Sequence, residues 1–222
     1  MAGLAPCVEA LLPAGAAAAV IPVQDVPPVL PPEEERLCLG AAPRRRAEFA
    51  AGRMAARRAM ARLGLPAAPV LRGNGGAPVW PRDCLGSITH DSALALAVVA
   101  GPVSCAAIGV DLQWVNDVGP SLWPAFLRND ELRALDASSL HPIRQRAAAF
   151  FSLKEAFFKC QYPLTREWVE FEQLEVTFLD GGVPPVLRTV PPACMKHDFQ
   201  ARCGYWGGYV VALVYVPGGA GE

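Results

Sequence analysis

The chain has 222 residues, 52% of them hydrophobic, and a formal net charge of −1. This is enough apolar sequence for one large core or two small ones, and the charge provides no overall field for attracting nucleic acid or a membrane. The seven cysteines form no C-x-x-C pair, which argues against a disulfide framework or a zinc cluster. The same cysteine pattern suits a reducing cytoplasm, where we expect the protein to be. We expect no membrane span, because residues 11–23 are too short and too interrupted by proline to cross a bilayer.

The first 35 residues contain seven prolines and end in the acidic cluster Glu33–Glu35. We interpret them as an extended or loosely packed entry segment, with the glutamates opening a helix whose N-terminus favours negative charge. A longer helix is predicted from Arg44 to Leu63, because Gly52 is its only glycine and it has no proline. Its apolar stripe contains Phe49 and Met60.

Three arginines of this helix, Arg46, Arg53 and Arg57, fall within an arc of about 40° beside the apolar stripe. Like charges at these spacings repel one another unless an anion joins them. Guanidinium groups can each bind two oxygens of a phosphate. The pattern therefore predicts a phosphate cradle on one side of the helix.

Two apolar runs, residues 93–100 and 105–110, flank a Gly-Pro turn and predict a hairpin of buried strands. If the chain folds back at this turn, His90 to Ser92 lie at the same end of the hairpin as Asp111 to Gln113. A histidine, two hydroxyls and a carboxylate would then meet at one edge of the sheet. This edge is either a functional site or a polar strand end exposed to water.

The next predicted helix, Arg144 to Gln161, contains no glycine or proline. Lys154 projects from the middle of its broad arc of phenylalanines, so its ammonium must reach water, pair with a carboxylate or bind an anion. Glu155 and Lys159 lie on the opposite side at the i,i+4 spacing. An ordinary surface ion pair is the alternative to a functional role for these two residues.

After this helix, alternating polar and apolar residues predict an antiparallel sheet with one face in water. Each half of the chain therefore consists of helix and small sheet, which is an α+β organisation. We place the divide near residues 100–115 and assign residues 1–107 to the N-terminal half and 108–222 to the C-terminal half.

The chain has no P-loop, G-x-G-x-x-G, G-x-S-x-G or H-E-x-x-H motif. It does contain clustered arginines, lysines on a helix, and the two carboxylates of Asp111 and Glu155. Mg²⁺ is commonly held by one or two carboxylates together with substrate phosphates. The inventory therefore indicates chemistry on a phosphate-containing substrate with magnesium.

Five stretches, taken in order, resemble the surfactin- and enterobactin-synthase-type 4′-phosphopantetheinyl transferases, and the enterobactin synthase component D branch is the most similar. The matching stretches are Gly52–Arg57, Pro78–Pro81, Gly86–His90, Ile108–Asp111 and Phe151–Lys159. The resemblance covers about residues 40–160. It implies the α+β fold of that family, with two pseudo-symmetric halves, each a small antiparallel sheet packed with a long helix, and coenzyme A in the cleft between them.

The implied reaction transfers the 4′-phosphopantetheine arm of coenzyme A to a serine of an apo acyl or peptidyl carrier protein, requires Mg²⁺ and releases adenosine 3′,5′-bisphosphate. Such enzymes serve siderophore, nonribosomal peptide, polyketide or fatty acid synthesis. The resemblance assigns coenzyme A binding to Arg46, Arg53, Arg57, Arg72, Ser87, Thr89, His90, Lys154 and Lys159. It assigns Mg²⁺ to Asp111, Gln113 and Glu155, and catalysis to Glu155 as base together with Lys154 and Lys159 at the phosphates.

One departure from the family pattern is Gln113, where an acidic residue is usual two positions after the aspartate. A neutral amide can coordinate through its oxygen but removes a negative charge beside the metal. A catalytically weak homologue that binds coenzyme A or a carrier protein is the alternative function. A nucleic-acid module on the arginine helix is a poorer alternative, because the net charge is −1 and no aromatic and basic strand pattern is present. Because one chain carries both halves, we expect a monomer.

Overall fold

The computed structural model describes residues 3–25, 28–73, 76–137, 142–179 and 183–219. The helices and strands of the first half are α1 (Leu4–Leu11), β1 (Ala16–Pro22), α2 (Pro32–Glu35), α3 (Pro43–Arg62), β2 (Leu71–Arg72), β3 (Pro78–Val79), β4 (Leu85–His90) and β5 (Leu94–Ala100). Those of the second half are β6 (Cys105–Trp114), α4 (Trp123–Phe126), α5 (Asn129–Ala137), α6 (Ile143–Thr165), β7 (Leu174–Thr177), β8 (Val186–Thr189), β9 (Gln200–Trp206) and β10 (Tyr209–Pro217). The predicted long helices correspond to α3 and α6.

The two halves repeat one topology. The first sheet has the strand order β1-β5-β4 and packs against α3, and the second has the order β6-β10-β9 and packs against α6. Every pairing in both sheets is antiparallel. In each half the main chain order is strand, long helix, strand, strand. The predicted α+β fold with two pseudo-symmetric halves is confirmed.

The central strand β5 is buried at all seven positions because both of its faces are covered. One face, which includes Ala97 and Val99, packs with the alanine-rich side of α3. The other face, which includes Leu96 and Val98, packs with residues of β6 and β10 such as Leu213. The two halves therefore share an apolar core, and they are not independent units joined by a linker.

Within residues 3–25 and 28–35, the chain is not the loosely packed segment that the sequence suggested. Leu4 of α1 is fully buried, and β1 forms seven residue pairs with β5 as an edge strand. The alanines of β1 have a low strand propensity, but their small side chains pack closely beneath α3. Arg202 of β9 donates hydrogen bonds to the carbonyls of Leu11 and Leu12, at 3.1 and 2.7 Å, and so ties the end of α1 to the second half.

The predicted hairpin between residues 93–100 and 105–110 is wrong in its pairing. Strand β5 pairs with β1 and β4, whereas β6 pairs with β10 in the other sheet. Strand β6 instead lies beside β4, where hydroxyls replace a backbone ladder. Ser87 Oγ accepts a hydrogen bond from the Val110 amide at 3.1 Å, and Thr89 Oγ1 accepts one from the Leu112 amide at 3.4 Å.

This arrangement brings the ends of β4 and β6 together, as the hairpin was expected to do for His90 and Asp111. The divide placed between residues 107 and 108 falls within β6, which is continuous from Cys105 to Trp114. In the part of the chain that the structure describes, no helix has the length and apolar character needed to cross a membrane.

Candidate active site

The Asp111 carboxylate lies at the centre of the candidate site and accepts three hydrogen bonds from side chains. Its Oδ1 accepts from Lys159 Nζ at 2.7 Å and from Thr89 Oγ1 at 3.1 Å, and its Oδ2 accepts from Ser152 Oγ at 2.9 Å. Asp111 is only 6% exposed. Its charge is therefore fixed in orientation by β4 on one side and by α6 on the other.

Gly109 permits this contact between β6 and α6. A Cβ atom at Gly109 would overlap the carbonyl oxygen of Ala156 and lie 2.6 Å from the backbone nitrogen of Cys160. Only glycine allows the strand and the helix to approach so closely. The approach places Asp111, two residues further along the strand, within reach of the polar side of α6.

Glu155 shares this region and is half-buried. Burial raises its pKa above the ordinary value, the Lys159 ammonium lowers it, and the Asp111 carboxylate raises it. Two neighbouring carboxylates in a partly buried site repel each other, and a bound cation would relieve that repulsion. The structure therefore brings Asp111, Glu155 and Lys159 together, as the sequence predicted.

The oxygen donors at this position fit a magnesium ion. Mg²⁺ prefers oxygen ligands and usually takes one or two carboxylates, with substrate phosphates and water supplying the rest. Gln113 lies two residues after Asp111 on the same face of β6, and its Nε2 donates to the Trp114 carbonyl at 3.0 Å. Among the described residues no group of three His, Cys, Asp or Glu side chains could hold a metal by itself, so substrate oxygens would have to complete the coordination.

A cavity of about 680 Å³ opens over Asp111, Gln113 and Lys159, and Glu155 is not among the residues that line it. Its polar part is lined by Arg45, Thr89, His90, Asp91, Asp111, Gln113, Asp117 and Lys159. The rest of the lining is apolar and includes an aromatic wall formed by Phe126, Phe151 and Phe171. The volume is in the range of small-molecule binding sites, and its two parts suit a ligand with one charged and one apolar portion.

A smaller cavity of about 220 Å³ adjoins the first, because Arg45 and His90 line both. Arg53 and Arg72 bring two further guanidinium groups to it, and Phe49 adds an aromatic face. Arginine beside an aromatic ring is a suitable environment for a phosphate attached to a planar base. The smaller cavity can therefore hold the nucleotide end of a ligand whose other end lies in the larger one.

Arg53 is held rigidly at this cavity. Its Nε donates to the Val70 carbonyl at 2.7 Å, and its Cζ lies 4.4 Å from the centre of the Phe49 ring. Burial is the main cause that lowers the pKa of Arg53 to about 10, while Glu34 opposes this shift. The guanidinium therefore keeps its positive charge at neutral pH.

His90 is partly buried between Arg45 and Glu48. Its Nε2 lies 2.8 Å from Arg45 Nη1, and its Nδ1 lies 3.7 Å from Glu48 Oε2. Burial lowers the pKa of His90, and the Arg45 charge lowers it further, while Glu48 acts in the opposite direction. The imidazole is therefore neutral at pH 7, with Nε2 accepting from Arg45.

This shift predicts a pH dependence of stability. Because the pKa of His90 is lower in the folded state, its contribution to stability is complete above the unfolded value of about 6.5 and is lost as the pH falls below it. The unfolding free energy, measured in urea at pH 7.5 and 5.5, should fall more in the wild type than in His90→Gln. An equal fall in both proteins would show that His90 is not shifted.

Two of the predicted cradle arginines lie elsewhere. Arg46 forms an ion pair with Glu35 at the surface, and Arg57 pairs with the fully buried carboxylate of Glu34. Neither arginine is among the residues that line the two cavities. The helical spacing predicted correctly that these arginines lie on one side of α3. It could not show that Glu34 and Glu35 of the acidic cluster would pair with them.

Arg45 is the functional candidate that the sequence analysis missed. It lies one residue before Arg46, is exposed, and lines both cavities. Its position four residues before Phe49 on α3 was the available signal, because Phe49 is also the ring that contacts Arg53. Ser87 is 4% exposed and does not line either cavity, so its hydroxyl acts between the strands and is not available to a ligand.

The placement of Lys154 does not agree with a contact to the leaving phosphate. Its side chain is fully buried in the second half, and its Nζ donates to Glu131 Oε2 at 2.6 Å. Burial lowers the pKa of Lys154, and the hydrogen bond to Glu131 opposes this shift. Of the three possibilities that the sequence left open for this ammonium, pairing with a carboxylate is the one observed.

A partly buried acidic pair beside a lysine, next to an arginine-lined cavity and between two repeated halves, defines a phosphate-handling enzyme site. Comparison with known proteins specifies it further. Residues 33–100 match the family described as 4′-phosphopantetheinyl transferase N-terminal domain, and residues 107–214 match the 4′-phosphopantetheinyl transferase superfamily.

Similar characterised proteins agree with this match. The 4′-phosphopantetheinyl transferase PptT of Mycobacterium tuberculosis is 37% identical over 161 residues, which are 69% of this chain and 68% of that protein. The 4′-phosphopantetheinyl transferase Npt of Nocardia iowensis is 33% identical over 174 residues, 77% of this chain and 76% of that protein. Enterobactin synthase component D of Salmonella typhi is 36% identical over 130 residues, 58% of this chain and 53% of that protein.

Among solved structures, a holo-(acyl-carrier-protein) synthase of Bacillus anthracis in complex with CoA (3′,5′-ADP) aligns with 52% of this chain and 99% of that chain, at 22% identity and a TM-score of 0.43. The sequence relatives decide the assignment. This chain belongs to the 4′-phosphopantetheinyl transferase family. The family predicted from the five ordered stretches is confirmed.

Proposed function

We propose that the protein transfers the 4′-phosphopantetheine arm of coenzyme A to a serine of an apo acyl or peptidyl carrier protein, with Mg²⁺, and releases adenosine 3′,5′-bisphosphate. The observation that carries the proposal is the cluster of Asp111, Glu155 and Lys159. Asp111 and Lys159 line a cavity that adjoins a second, arginine-lined cavity. A ligand that spans both would carry a phosphate at one end and a scissile phosphate near the cluster. Coenzyme A has this form.

The arginine-lined cavity would hold the adenosine and its 3′-phosphate. Arg45, Arg53 and Arg72 provide the positive charge, and His90 stands at the junction with the larger cavity. The pyrophosphate would then lie over Thr89, Asp111 and Lys159. The uncharged pantetheine arm would extend along the aromatic wall.

Asp111, Glu155 and Gln113 would hold Mg²⁺, which when bound neutralises charge on the pyrophosphate. The Lys159 ammonium neutralises the phosphate that is attacked. The Glu155 carboxylate, whose pKa is raised, is the base that accepts the serine proton. The serine oxygen forms a bond to phosphorus as the bond to the adenosine 3′,5′-bisphosphate oxygen breaks.

Intact mass spectrometry tests this function directly. The protein is incubated with coenzyme A, Mg²⁺ and a panel of apo-carriers from siderophore, nonribosomal peptide, polyketide and fatty acid synthesis. One carrier should gain the mass of one phosphopantetheine arm, and its variant with alanine at the acceptor serine should gain none. Coenzyme A binding without any transfer would favour the alternative, a catalytically weak homologue that binds coenzyme A or a carrier.

The arginine assignment gives a specific prediction. Arg45→Ala should weaken coenzyme A binding by about 1.5–3 kcal/mol, the range for hydrogen bonds to charged groups. Binding of dephospho-coenzyme A, which lacks the 3′-phosphate, should change much less. Calorimetry with both ligands measures the difference.

Arg46→Ala is the matched variant at the adjacent position and should leave both affinities unchanged, because Arg46 pairs with Glu35. Arg58→Ala, on the exposed side of α3, controls for loss of positive charge. If Arg46→Ala weakens coenzyme A binding and Arg45→Ala does not, the cradle chosen from the sequence is right and the assignment of Arg45 fails.

We further propose that the protein acts in the cytoplasm as a monomer. All seven cysteines are free thiols, which suits a reducing compartment. Both halves of the candidate site come from one chain.

A further inference from the structure

Lys154 is among the largest fully buried side chains of the protein. Its ammonium donates to the Phe126 carbonyl at 2.9 Å, to Glu131 Oε2 at 2.6 Å and to the Phe171 carbonyl at 3.0 Å. An ammonium has three protons, so these bonds use its full capacity. The charge of Lys154 is therefore directed entirely at the protein.

The partner carboxylate extends the network to two more segments. Glu131 Oε2 also accepts from the Arg128 amide at 2.9 Å, and Oε1 accepts from the Val176 amide at 2.9 Å. The Lys154–Glu131 pair thus joins α6 to α5, to the α4–α5 connection, to the turn at Phe171 and to β7. A buried pair of this kind contributes little net stability compared with apolar side chains of the same shape, so its effect is chiefly on geometry.

The geometry concerned is that of the aromatic wall. Phe126 and Phe171, whose carbonyls accept from Lys154, are two of the three phenylalanines that line the larger cavity. The third, Phe151, lies one turn before Lys154 on α6, and its ring centre is 5.2 Å from that of Phe126 and 6.0 Å from that of Phe171. Lys154 is behind this wall, whereas the carboxylate of the neighbouring Glu155 interacts with the charges of Lys159 and Asp111.

We propose that Lys154 is a positioning residue: through the Phe126 and Phe171 carbonyls it sets the aromatic wall against which the uncharged pantetheine arm of coenzyme A lies. This inference rests on the proposed function. In this proposal, two adjacent residues of α6 act on different parts of the ligand. Glu155 serves the phosphate, and Lys154 serves the arm without contacting it.

The test compares two ligands that differ by the arm. In Lys154→Met the side chain keeps its length but loses all three hydrogen bonds. Affinity for coenzyme A should fall on the order of tenfold, equivalent to one or two aromatic contacts, whereas affinity for adenosine 3′,5′-bisphosphate should stay within about twofold. Calorimetry on the folded protein gives the ratio of the two dissociation constants.

Glu131→Gln is measured in the same way, because it removes the negative charge of the carboxylate that accepts a hydrogen bond from the Lys154 ammonium. The double variant Lys154→Met/Glu131→Gln removes both buried charges and keeps the test available if the single Met variant does not fold. Val214→Ala is the control, because Val214 is fully buried in the apolar core cluster that also contains Phe126. It should lower the melting temperature and leave the ratio of dissociation constants unchanged.

A change of that ratio in the Lys154 and Glu131 variants, and not in Val214→Ala, supports the positioning role. An unchanged ratio with lower melting temperature assigns Lys154 to stability alone and overturns the inference, while the proposed function stands on the wild-type transfer assay. If the wild type does not bind coenzyme A, the proposed function and the inference both fail.

Discussion

Glu155→Gln should lower the rate of transfer to the carrier protein by about 10²–10⁴-fold, the usual loss when a general base is removed. Glutamine keeps the shape and the helix propensity of the residue but cannot accept a proton. The measurement is the initial rate of mass gain on the carrier at saturating coenzyme A and Mg²⁺. A large effect is expected because the Glu155 carboxylate interacts with the charges of both Asp111 and Lys159.

The same variant should keep or raise the melting temperature at neutral pH. Because burial raises the pKa of Glu155, its ionised form is disfavoured in the folded state, and this cost appears as the pH rises through the folded pKa. Glutamine removes that cost. Glu175→Gln, on β7 away from both cavities, is the matched control and should retain activity. A loss of stability with normal activity per folded molecule would instead support an ordinary helix ion pair between Glu155 and Lys159.

Asp111→Asn should raise the Mg²⁺ concentration needed for half-maximal transfer by at least about 100-fold. Replacement of a group that only supports a metal ligand typically costs 10–100-fold in affinity, and Asp111 is expected to be a ligand itself. The change also removes the charge that Lys159 and Ser152 stabilise. A Mg²⁺ titration of the transfer rate at saturating coenzyme A measures the shift.

Gln113→Glu is the companion variant in the same titration. A carboxylate at position 113 adds a hard anionic oxygen on the face of β6 that carries Asp111. The half-maximal Mg²⁺ concentration should therefore decrease. If Asp111→Asn shifts the titration and Gln113→Glu does not, position 113 lies outside the metal coordination. If neither variant shifts it, the assignment of magnesium to this edge of β6 is wrong.

The elements with strong periodicity were predictable from the sequence. Helices α3 and α6 each have an apolar side and lack internal breaks over most of their length, and the structure places them within a few residues of the predicted bounds. The N-terminal strand was not predictable, because Ala16–Ala19 has little strand propensity of its own. Strand β1 forms because it can pair with the free edge of β5 and because its small side chains fit beneath α3.

The candidate site was likewise predictable from the sequence only in part. Asp111, Glu155 and Lys159 were identified by spacing and by family resemblance, and the structure brings them together. The partners of the remaining charges depend on tertiary structure. The pairing of Arg57 with Glu34 spans 23 positions of sequence, and that of Lys154 with Glu131 also spans 23. No helical arc calculated for α3 or α6 alone contains those carboxylates.

The hydroxyl contacts between β4 and β6 have a consequence for the kinetics of ligand association. Ser87 and Thr89 satisfy the buried amides of Val110 and Leu112 across the boundary between the halves, so a hinge opening there would leave both amides without a partner in an apolar environment. The cleft is therefore preorganised in the free protein. Coenzyme A should bind in a single exponential phase whose observed rate increases linearly with ligand concentration, without the plateau that a preceding conformational step would impose.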